Sequence, residues 1–566
     1  NEIAAGVIEP LMALLFSVVM LLSVLGGMDR ILKDIPDKRR HLYWSMVDLT
    51  LVSLLALSYT NDIFTGYVFI EICTIASCAL LSARDNGRSL IAAARYMVFA
   101  LVGSGLFLIG VIYTYSITGH LLFPQLHETI AALWAEGTYR FSMTVAIGLM
   151  TAGLAIKSGL FPFHFWMPDT YGRATPASSG ILSGVVSKAY ILLLIKIVYR
   201  AVGIEVFAAS GIQSVLLIFG IAGMIVGSVS AIRSKRLTTM VAYSSAAQIG
   251  YIYMGLGMGT QAALLAAFLH IFSHALTKPM LFLSASGLRD VSGGHNDFPS
   301  LQGAGHRNVA AGVLFTAGAL SMVGVPLFIG FIPKLQFAQA AFALTWEKWP
   351  VLLALAVSTL LNVLYFLYTA MVLWLPQKDG TMAAAQKINW GKAIPAAVLL
   401  AIGLAIGIHS APLTALLRQG FGLFCQYSGK EWTVSYVIFD PSAALPAGDR
   451  LRLLQGGERP AADPGAGGGA DRADGAGDLR RRIRQRLGHQ CGVSQRVADL
   501  FAEDGRRGGG VRRGDGGVLA ADHPLRRRVH APQRRRAPVL RVPVHHRGGA
   551  AGHRAGGGHG DAVSVL

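Results

Sequence analysis

Apolar runs near or above the roughly 20 residues needed to cross a bilayer recur along residues 7–412, with short polar stretches between them. Twelve can be marked, at about 7–28, 43–59, 64–83, 92–115, 142–161, 178–200, 212–231, 239–258, 261–286, 308–340, 350–376 and 392–411. The pattern predicts an all-α polytopic membrane protein with about twelve transmembrane helices. Alternate loops between the runs differ sharply in charge. One set holds seventeen Lys and Arg, among them Arg30, Arg84, Arg173, Arg236 and Arg289, whereas the other holds only Arg140, Arg200 and Lys348. That bias places the first set in the cytoplasm, so the first helix runs in from the outside. It also supports the span count, because one overlooked helix would scramble the alternation.

Composition agrees and narrows the class. The 566 residues are 53% apolar and 14% charged, with a mean hydropathy of +0.49, which disfavours a soluble globular domain. Cys73, Cys78, Cys425 and Cys491 form no CxxC pair and have no histidine cluster around them, so neither a zinc site nor an iron–sulfur cluster is expected. Cys73 and Cys78 read as small packing residues within a span. There is no phosphate-binding glycine loop. The expectation is a chain with no cofactor, metal, redox centre or nucleotide site of its own.

Beyond residue 440 the character changes. Residues 441–566 contain 23 Arg and no Lys, Trp, Tyr or Met, whereas the first 440 residues hold all 13 Lys and all 8 Trp. Such a tract cannot build a packed core and by composition is disordered. Its arginine runs would suit anionic lipid or nucleic acid. Against that, a tail of net charge 23 − 12 = +11 would emerge outside after twelve spans, opposite to the usual sidedness. Arginine without lysine, beside abundant Gly, Ala and Pro, is also what a GC-rich gene yields when read out of frame. The expected organisation is a membrane domain over 1–430 and, over 441–566, an Arg/Gly/Ala-rich tail that is disordered or frameshifted. The start at Asn1, with no signal peptide before the first span, reads as an incomplete N-terminus.

Seven ionisable residues fall inside the apolar runs or at their interruptions: Glu71, Lys157, Lys188, His270, His274, Lys278 and Lys334. Burying one costs roughly 3 kcal/mol on insertion scales, so a row of them is most simply read as serving ion movement. Glu71, in TGYVFIEICTIASCALL, needs a cationic partner, water or a proton of its own, and the supply of buried lysines favours a pair. Lys157 precedes Pro162 and Pro168 in GLAIKSGLFPFHFWMPDTYGRATPASSG. Broken backbone at membrane depth is tolerated only against protein or a watery cavity, which suits a proton relay better than a lysine snorkelling to the interface. Lys188 stands some ten residues from either end of its span, too deep to snorkel, whereas Lys196, nearer the end, is expected to.

His270, His274 and Lys278 stand four residues apart and form one slowly drifting helical stripe roughly 12 Å long. Imidazoles both donate and accept near neutrality, which suits a proton wire. A satisfied core histidine and a two-histidine metal site are the alternatives, and no acidic or thiol ligand nearby supports the metal. Lys334 follows Pro326 and Pro333. Segments 142–168 and 308–340 thus each join a broken helix to a lysine, one in each half, which points to inverted repeats with two broken helices.

The runs AIKSGLFPFHFWMPDTYGRATPASS, VAYSSAAQIGYI, HIFSHALTKPMLFL and VGVPLFIGFIPK together resemble the antiporter-like membrane subunits shared by respiratory complex I, multisubunit Na+/H+ antiporters (their D-type subunit) and membrane-bound energy-converting hydrogenases. The resemblance covers about residues 7–412 and implies that two further N-terminal helices are missing here. It also implies roles. Glu71 and Lys157 match the ion pair whose opening and closing gates proton movement. Lys188 matches the linking lysine, His270, His274 and Lys278 the central relay, and Lys334 the lysine of the second broken helix, used in the exit half-channel. His164 and Asp169, with Pro162 and Pro326, match positions of structural importance near the helix breaks. One departure is visible, because the basic pair before AYSS stands further back, at Lys235 and Arg236, with Thr238 and Thr239 between.

The function expected is translocation of protons, or of Na+, by a non-catalytic subunit of a multisubunit complex. Redox chemistry in partner subunits, in an NADH:quinone oxidoreductase-like or hydrogenase setting, or an opposing ion gradient would drive it. A stand-alone secondary transporter of a small solute is the alternative, to which the lysine row lends no particular support. The partners expected are other membrane subunits of a respiratory, hydrogenase or antiporter complex and the lipid bilayer, not nucleic acid. The expected location is the inner (cytoplasmic) membrane, crossed many times. Sequencing the transcript through the codons around residue 440 is expected to reveal a change of frame, and one uninterrupted frame would refute the frameshift reading of the tail.

Overall fold

Helix starts in this chain are set by side chains that accept the amide protons left free in each first turn. Asp62 accepts from the Thr65 amide at 2.7 Å, Asn86 from Ser89 at 2.8 Å, and Thr260 from Ala263 at 3.2 Å. The computed structural model describes residues 2–424 apart from residue 85 and residues 377–387. Among the described residues all regular elements are helical, with three isolated bridge pairs between loops. The first half holds α1 (Ile8–Asp34), α2 (Asp37–Tyr59), α3 (Ile63–Ser82), α4 (Gly87–Thr118), α5 (Phe123–Glu136), α6 (Arg140–Ser158), α7 (Met167–Arg173), α8 (Pro176–Ile181), α9 (Ser187–Lys196) and α10 (Ile204–Ala209). The second holds α11 (Ile212–Arg233), α12 (Leu237–Met258), α13 (Gln261–Asp290), α14 (Phe298–Leu301), α15 (Ala304–Arg307), α16 (Val309–Val323), α17 (Phe331–Ala341), α18 (Lys348–Trp374), α19 (Trp390–Ile408) and α20 (Ser410–Phe424).

Among the described residues ten helical segments are long and apolar enough to cross a membrane, so the chain is an all-α polytopic membrane protein. The hydropathy pattern predicts twelve, and the two differences have physical reasons. Leu237–Met258 is long enough at 22 residues but carries Ser244, Ser245, Gln248, Tyr251 and Tyr253, and is too polar to count with the others. The segment read as 308–340 is two shorter helices, α16 and α17, separated at Gly324 and Pro326. In the other direction, α5 lies in a stretch with no predicted element, and Phe123, Leu126 and Ile130 form its buried face at spacings of three and four.

The layering follows from which helices are apolar all round. The segments Pro176–Val202 and Gln261–Asp290 are buried except at their ends and form the centre with α12. Helices α2, α4, α18 and α19 surround them and keep apolar outer faces, such as Leu101, Val102 and Ile112 on α4 and Leu353, Leu360 and Leu364 on α18. Rows of exposed apolar side chains of this length belong against lipid.

Outer and inner layers meet closely where α4 crosses α6. A Cβ at Gly153 would lie 2.5 Å from the Gly103 carbonyl oxygen and 2.8 Å from the Phe107 amide, so the two backbones are in contact there. That approach carries the last turn of α6, and Lys157 with it, up to α3 and α4. Cys73 is buried in α3, and both it and Cys78 are free thiols, in keeping with packing roles. Cys425, Cys491 and the tail 441–566 lie outside the described residues.

Candidate functional site

Lys157 occupies the last turn of α6, which stops at Gly159 in a left-handed conformation, φ 82°, that a glycine adopts without strain. The chain then tightens into a 3-10 turn, Phe163–Trp166, after Pro162. The Lys157 side chain is 1% exposed. Its ammonium donates to the Thr74 hydroxyl at 2.7 Å and to Glu71 Oε1 at 3.2 Å, and it faces the Tyr190 ring at 5.7 Å. Glu71 Oε1 accepts a second hydrogen bond from Ser104 on α4. Two unit charges at this separation attract by about 5 kcal/mol at an effective dielectric of about 20. The pair is lopsided, since the Glu71 side chain is 23% exposed and is less deeply held than its place in an apolar run suggests. Around the helix break, His164 is buried and stacks on Phe165 at 4.6 Å, while Asp169 pairs with Arg95 and, at 3.1 Å, with Arg173.

Lys188 is fully buried two residues beyond a π-helical turn, Leu182–Val186. Its ammonium donates to the Ser183 carbonyl, where the helix widens, and to the Ser187 hydroxyl at 3.1 Å. The Ser183 hydroxyl in turn meets Ser245 of α12 at 2.9 Å. On the same turn of α12, Lys278 donates to the Val241 carbonyl at 2.9 Å, which also accepts from Ser245 at 3.2 Å, and to the Ser244 hydroxyl. Two adjacent serines of one helix therefore stand between two buried lysines. Lys157 and Lys188 do not share a hydrogen-bond partner among the described residues. What joins α6 to α12 is a hydroxyl pair at 2.7 Å, Ser158 with Tyr253.

His270, His274 and Lys278 are all buried along α13. Neither ring nitrogen of either histidine has a hydrogen-bond partner among the described residues, and the same is true of Gln248, which is buried on α12. Buried polar groups of this kind are ordinarily satisfied by water. His270 stacks on Tyr251 at 5.2 Å, and the other approach to that ring is taken by Lys334, whose ammonium lies 5.3 Å from it. Lys334 reaches back to the end of α16 and donates to the Met322 and Val323 carbonyls, both at 2.8 Å. Those carbonyls are free because α16 stops at Gly324, φ 93°. A cation at a helix C-terminus is favoured by the carbonyl dipoles gathered there.

The structure thus joins Glu71 to Lys157, Lys188 to Lys278 across α12, and His270 to Lys334 through Tyr251. It also holds groups that the reading of the sequence missed. Lys196 does not snorkel. It is fully buried and donates to the Leu57, Ser58 and Thr60 carbonyls at the end of α2, the last at 3.0 Å. Beside it, Arg200 and Glu9 form a buried ion pair at 2.6 Å. The only signal for Glu9 is a carboxylate in the first turn of an apolar run. The polar residues of α12 stand out in the sequence as a motif without a role, although a serine, glutamine and tyrosine series inside an apolar helix is itself a signal.

A sequence profile of the NADH:quinone oxidoreductase/Mrp antiporter transmembrane family matches residues 60–362, a stretch that includes all seven ionisable residues from Glu71 to Lys334. The chain is 34% identical over 329 residues to NADH-quinone oxidoreductase subunit N of Desulforudis audaxviator, covering 57% of this chain and 63% of that one. This chain therefore spans less than two thirds of that relative. It is 27% identical over 418 residues to the D-type subunit of the Na(+)/H(+) antiporter of Alkalihalophilus pseudofirmus, covering 73% of this chain and 81% of the relative. Among solved structures, a chain of the membrane-bound sulfane sulfur reductase, an archaeal respiratory membrane complex, superposes with a TM-score of 0.67 at 27% identity over 75% of this chain and 83% of that one.

Removing one member of the Glu9–Arg200 pair leaves the other charge buried, which typically costs about 3–5 kcal/mol, whereas removing both costs less. Glu9→Gln is expected to lower the thermal unfolding midpoint of the detergent-solubilised protein, and Glu9→Gln with Arg200→Gln to recover part of the loss. A double variant less stable than either single one would contradict the pairing.

Proposed function

The chain belongs to the NADH:quinone oxidoreductase/Mrp antiporter transmembrane family, and we propose that it moves protons, or Na+, across the cytoplasmic membrane as one subunit of a multisubunit complex. Related chains are an NADH-quinone oxidoreductase subunit and an antiporter subunit, so the driving force is supplied by redox chemistry in partner subunits or by an opposing ion gradient. The observation that carries the reading is the Glu71–Lys157 ion pair at the end of α6. It is the step at which a buried cation depends on a second ionisable group.

With Glu71 in place, the Lys157 ammonium is balanced. When Glu71 moves away or takes up a proton, Lys157 keeps only the Thr74 hydroxyl, and a buried ammonium held by one neutral oxygen is costly. Passing its proton onward relieves that cost. The onward groups are Lys188, the serines of α12, Lys278 with the two histidines, and Lys334, in that order. The histidines feel the neighbouring cations, since Lys188 and Lys278 lie within electrostatic reach of both. A proton on one lysine therefore discourages a proton on the next site, which keeps charge moving instead of accumulating.

The matched ends of α6 and α16 support the further reading of two inverted repeats. Each helix stops at a left-handed glycine, Gly159 or Gly324, and each stop is served by a lysine. Lys157 sits in the turn before the first stop, and Lys334 reaches the carbonyls freed at the second. Lys157→Met, introduced into the assembled complex, is expected to abolish ion transport into liposomes while the complex still assembles. Transport at the wild-type rate would refute the role given to Lys157.

A further inference from the structure

Arginines from four separate segments converge on one cavity of about 720 Å3. Arg84 and Arg88 come from the start of α4 and the turn before it, Arg173 from the end of α7, Arg236 from just before α12, and Arg289 from the end of α13. These segments belong to the basic set of loops and so to the cytoplasmic side. Scattered surface charges would not be held together, but these are. The Arg84 guanidinium donates to the Arg173 carbonyl at 2.7 Å. Arg236 pairs with Asp297 in an isolated antiparallel bridge, and the Leu237 amide donates to the Asn296 carbonyl at 2.9 Å. The Asn296 amide group donates to Thr238, whose hydroxyl donates to the Gly172 carbonyl at 3.0 Å.

Charge is unbalanced inside this frame. Arg84 is matched by Asp34 at 3.0 Å and Arg173 by Asp169 at 3.1 Å. Arg88, Arg236 and Arg289 have no ion-pair partner among the described residues. The one carboxylate among the described lining residues is Asp297. It accepts from the Ser300 hydroxyl at 2.8 Å, and that hydrogen bond holds it below the usual carboxylate range. The described lining therefore keeps an excess of 3 − 1 = +2 from its unmatched groups. The first turn of α4 opens on the same cavity and adds its amide dipoles. The lining cations are all guanidinium groups, whose paired donors match two oxygens of a phosphate.

The wall of the cavity separates a lipid from a soluble anion. Ile91, which lines it, is 58% exposed, and its neighbour Leu90 is 45% exposed, on the turns where α4 starts its crossing. An apolar edge continuous with a phosphate-sized cluster of guanidiniums suits a headgroup with a chain attached. We propose that this cavity binds the phosphate of an anionic phospholipid, with Arg88, Arg236 and Arg289 on its oxygens and an acyl chain along Leu90 and Ile91. The bound lipid would fix the loops that join α3 to α4 and α11 to α12, independently of any ion transport.

Native mass spectrometry of the full chain in detergent tests this with phosphatidylglycerol, phosphatidylcholine and inorganic phosphate as probes. Phosphatidylglycerol is expected to be retained in preference to phosphatidylcholine. The Arg88→Gln, Arg236→Gln, Arg289→Gln variant should weaken it by about a hundredfold, since the three cations on the phosphate are removed together. A control with the same loss of charge outside the cavity, Lys38→Gln, Arg233→Gln, Lys235→Gln, should bind as the wild type does. Equal retention of the two lipids, or equal weakening by both triple variants, would overturn the site. Binding of inorganic phosphate as tight as that of the lipid would overturn the lipid as its occupant. Retention of the helical circular dichroism signal by both variants keeps misfolding apart from these outcomes.

Discussion

An ammonium group in the middle of a membrane protein must be given oxygen atoms by the fold, because lipid supplies none and burial without them is prohibitive. Five lysines inside the helical bundle meet that demand in different ways. Lys188, Lys196 and Lys334 use backbone carbonyls, Lys278 uses a carbonyl and a serine, and Lys157 uses a threonine and a carboxylate. Carbonyls and hydroxyls are fixed or neutral partners. A carboxylate can move or be protonated, so among these five lysines Lys157 is the one whose balance can be withdrawn.

The carbonyls are available because the helices are irregular where the lysines stand. In a continuous α-helix every inner carbonyl is already taken by an amide four residues on. Termination at Gly324 frees the oxygens that Lys334 uses, the end of α2 frees those that Lys196 uses, and the π-helical turn opens Ser183 to Lys188. Broken backbone is tolerated at this depth because it is wrapped by other helices, as the segments Pro176–Val202 and Gln261–Asp290, buried except at their ends, attest. Helix α12 completes the arrangement, since its Ser245 hydroxyl reaches Ser183, whose carbonyl holds Lys188, and its Ser244 hydroxyl holds Lys278.

Much of this is legible in the sequence because charge inside an apolar run is a rare and loud signal. On those grounds Glu71 is expected to meet a buried lysine, which the family resemblance identifies as Lys157, and the stripe of His270, His274 and Lys278 follows from a spacing of four. The misses have equally definite causes. Distance along its own helix predicts that Lys196 snorkels, but the end of α2 folds over it and closes the route to the interface. Glu9 sits in a first turn, where a carboxylate is unremarkable until Arg200 is seen beside it. The run read at 239–258 is a helix, Leu237–Met258, but it is less apolar than the other spans because the hydroxyls that serve the lysines make it polar. Hydropathy joins α16 to α17, because apolar residues continue through the turn at Gly324 and Pro326. The tail 441–566 lies outside the described residues, and its reading rests on composition.

The central claim is that Glu71 and Lys157 act as one unit, and a double-mutant cycle on transport tests it most directly. Glu71→Asp, Lys157→Arg and the double variant would be compared with the wild type by the initial rate of ion uptake into liposomes holding the assembled complex. If the two residues form the switch, each conservative change slows transport, and the double variant departs from the product of the single effects by more than the margin seen for distant sites, about 0.5 kcal/mol. Effects that simply multiply, with assembly intact, would mean that the two groups act separately and would contradict the claim.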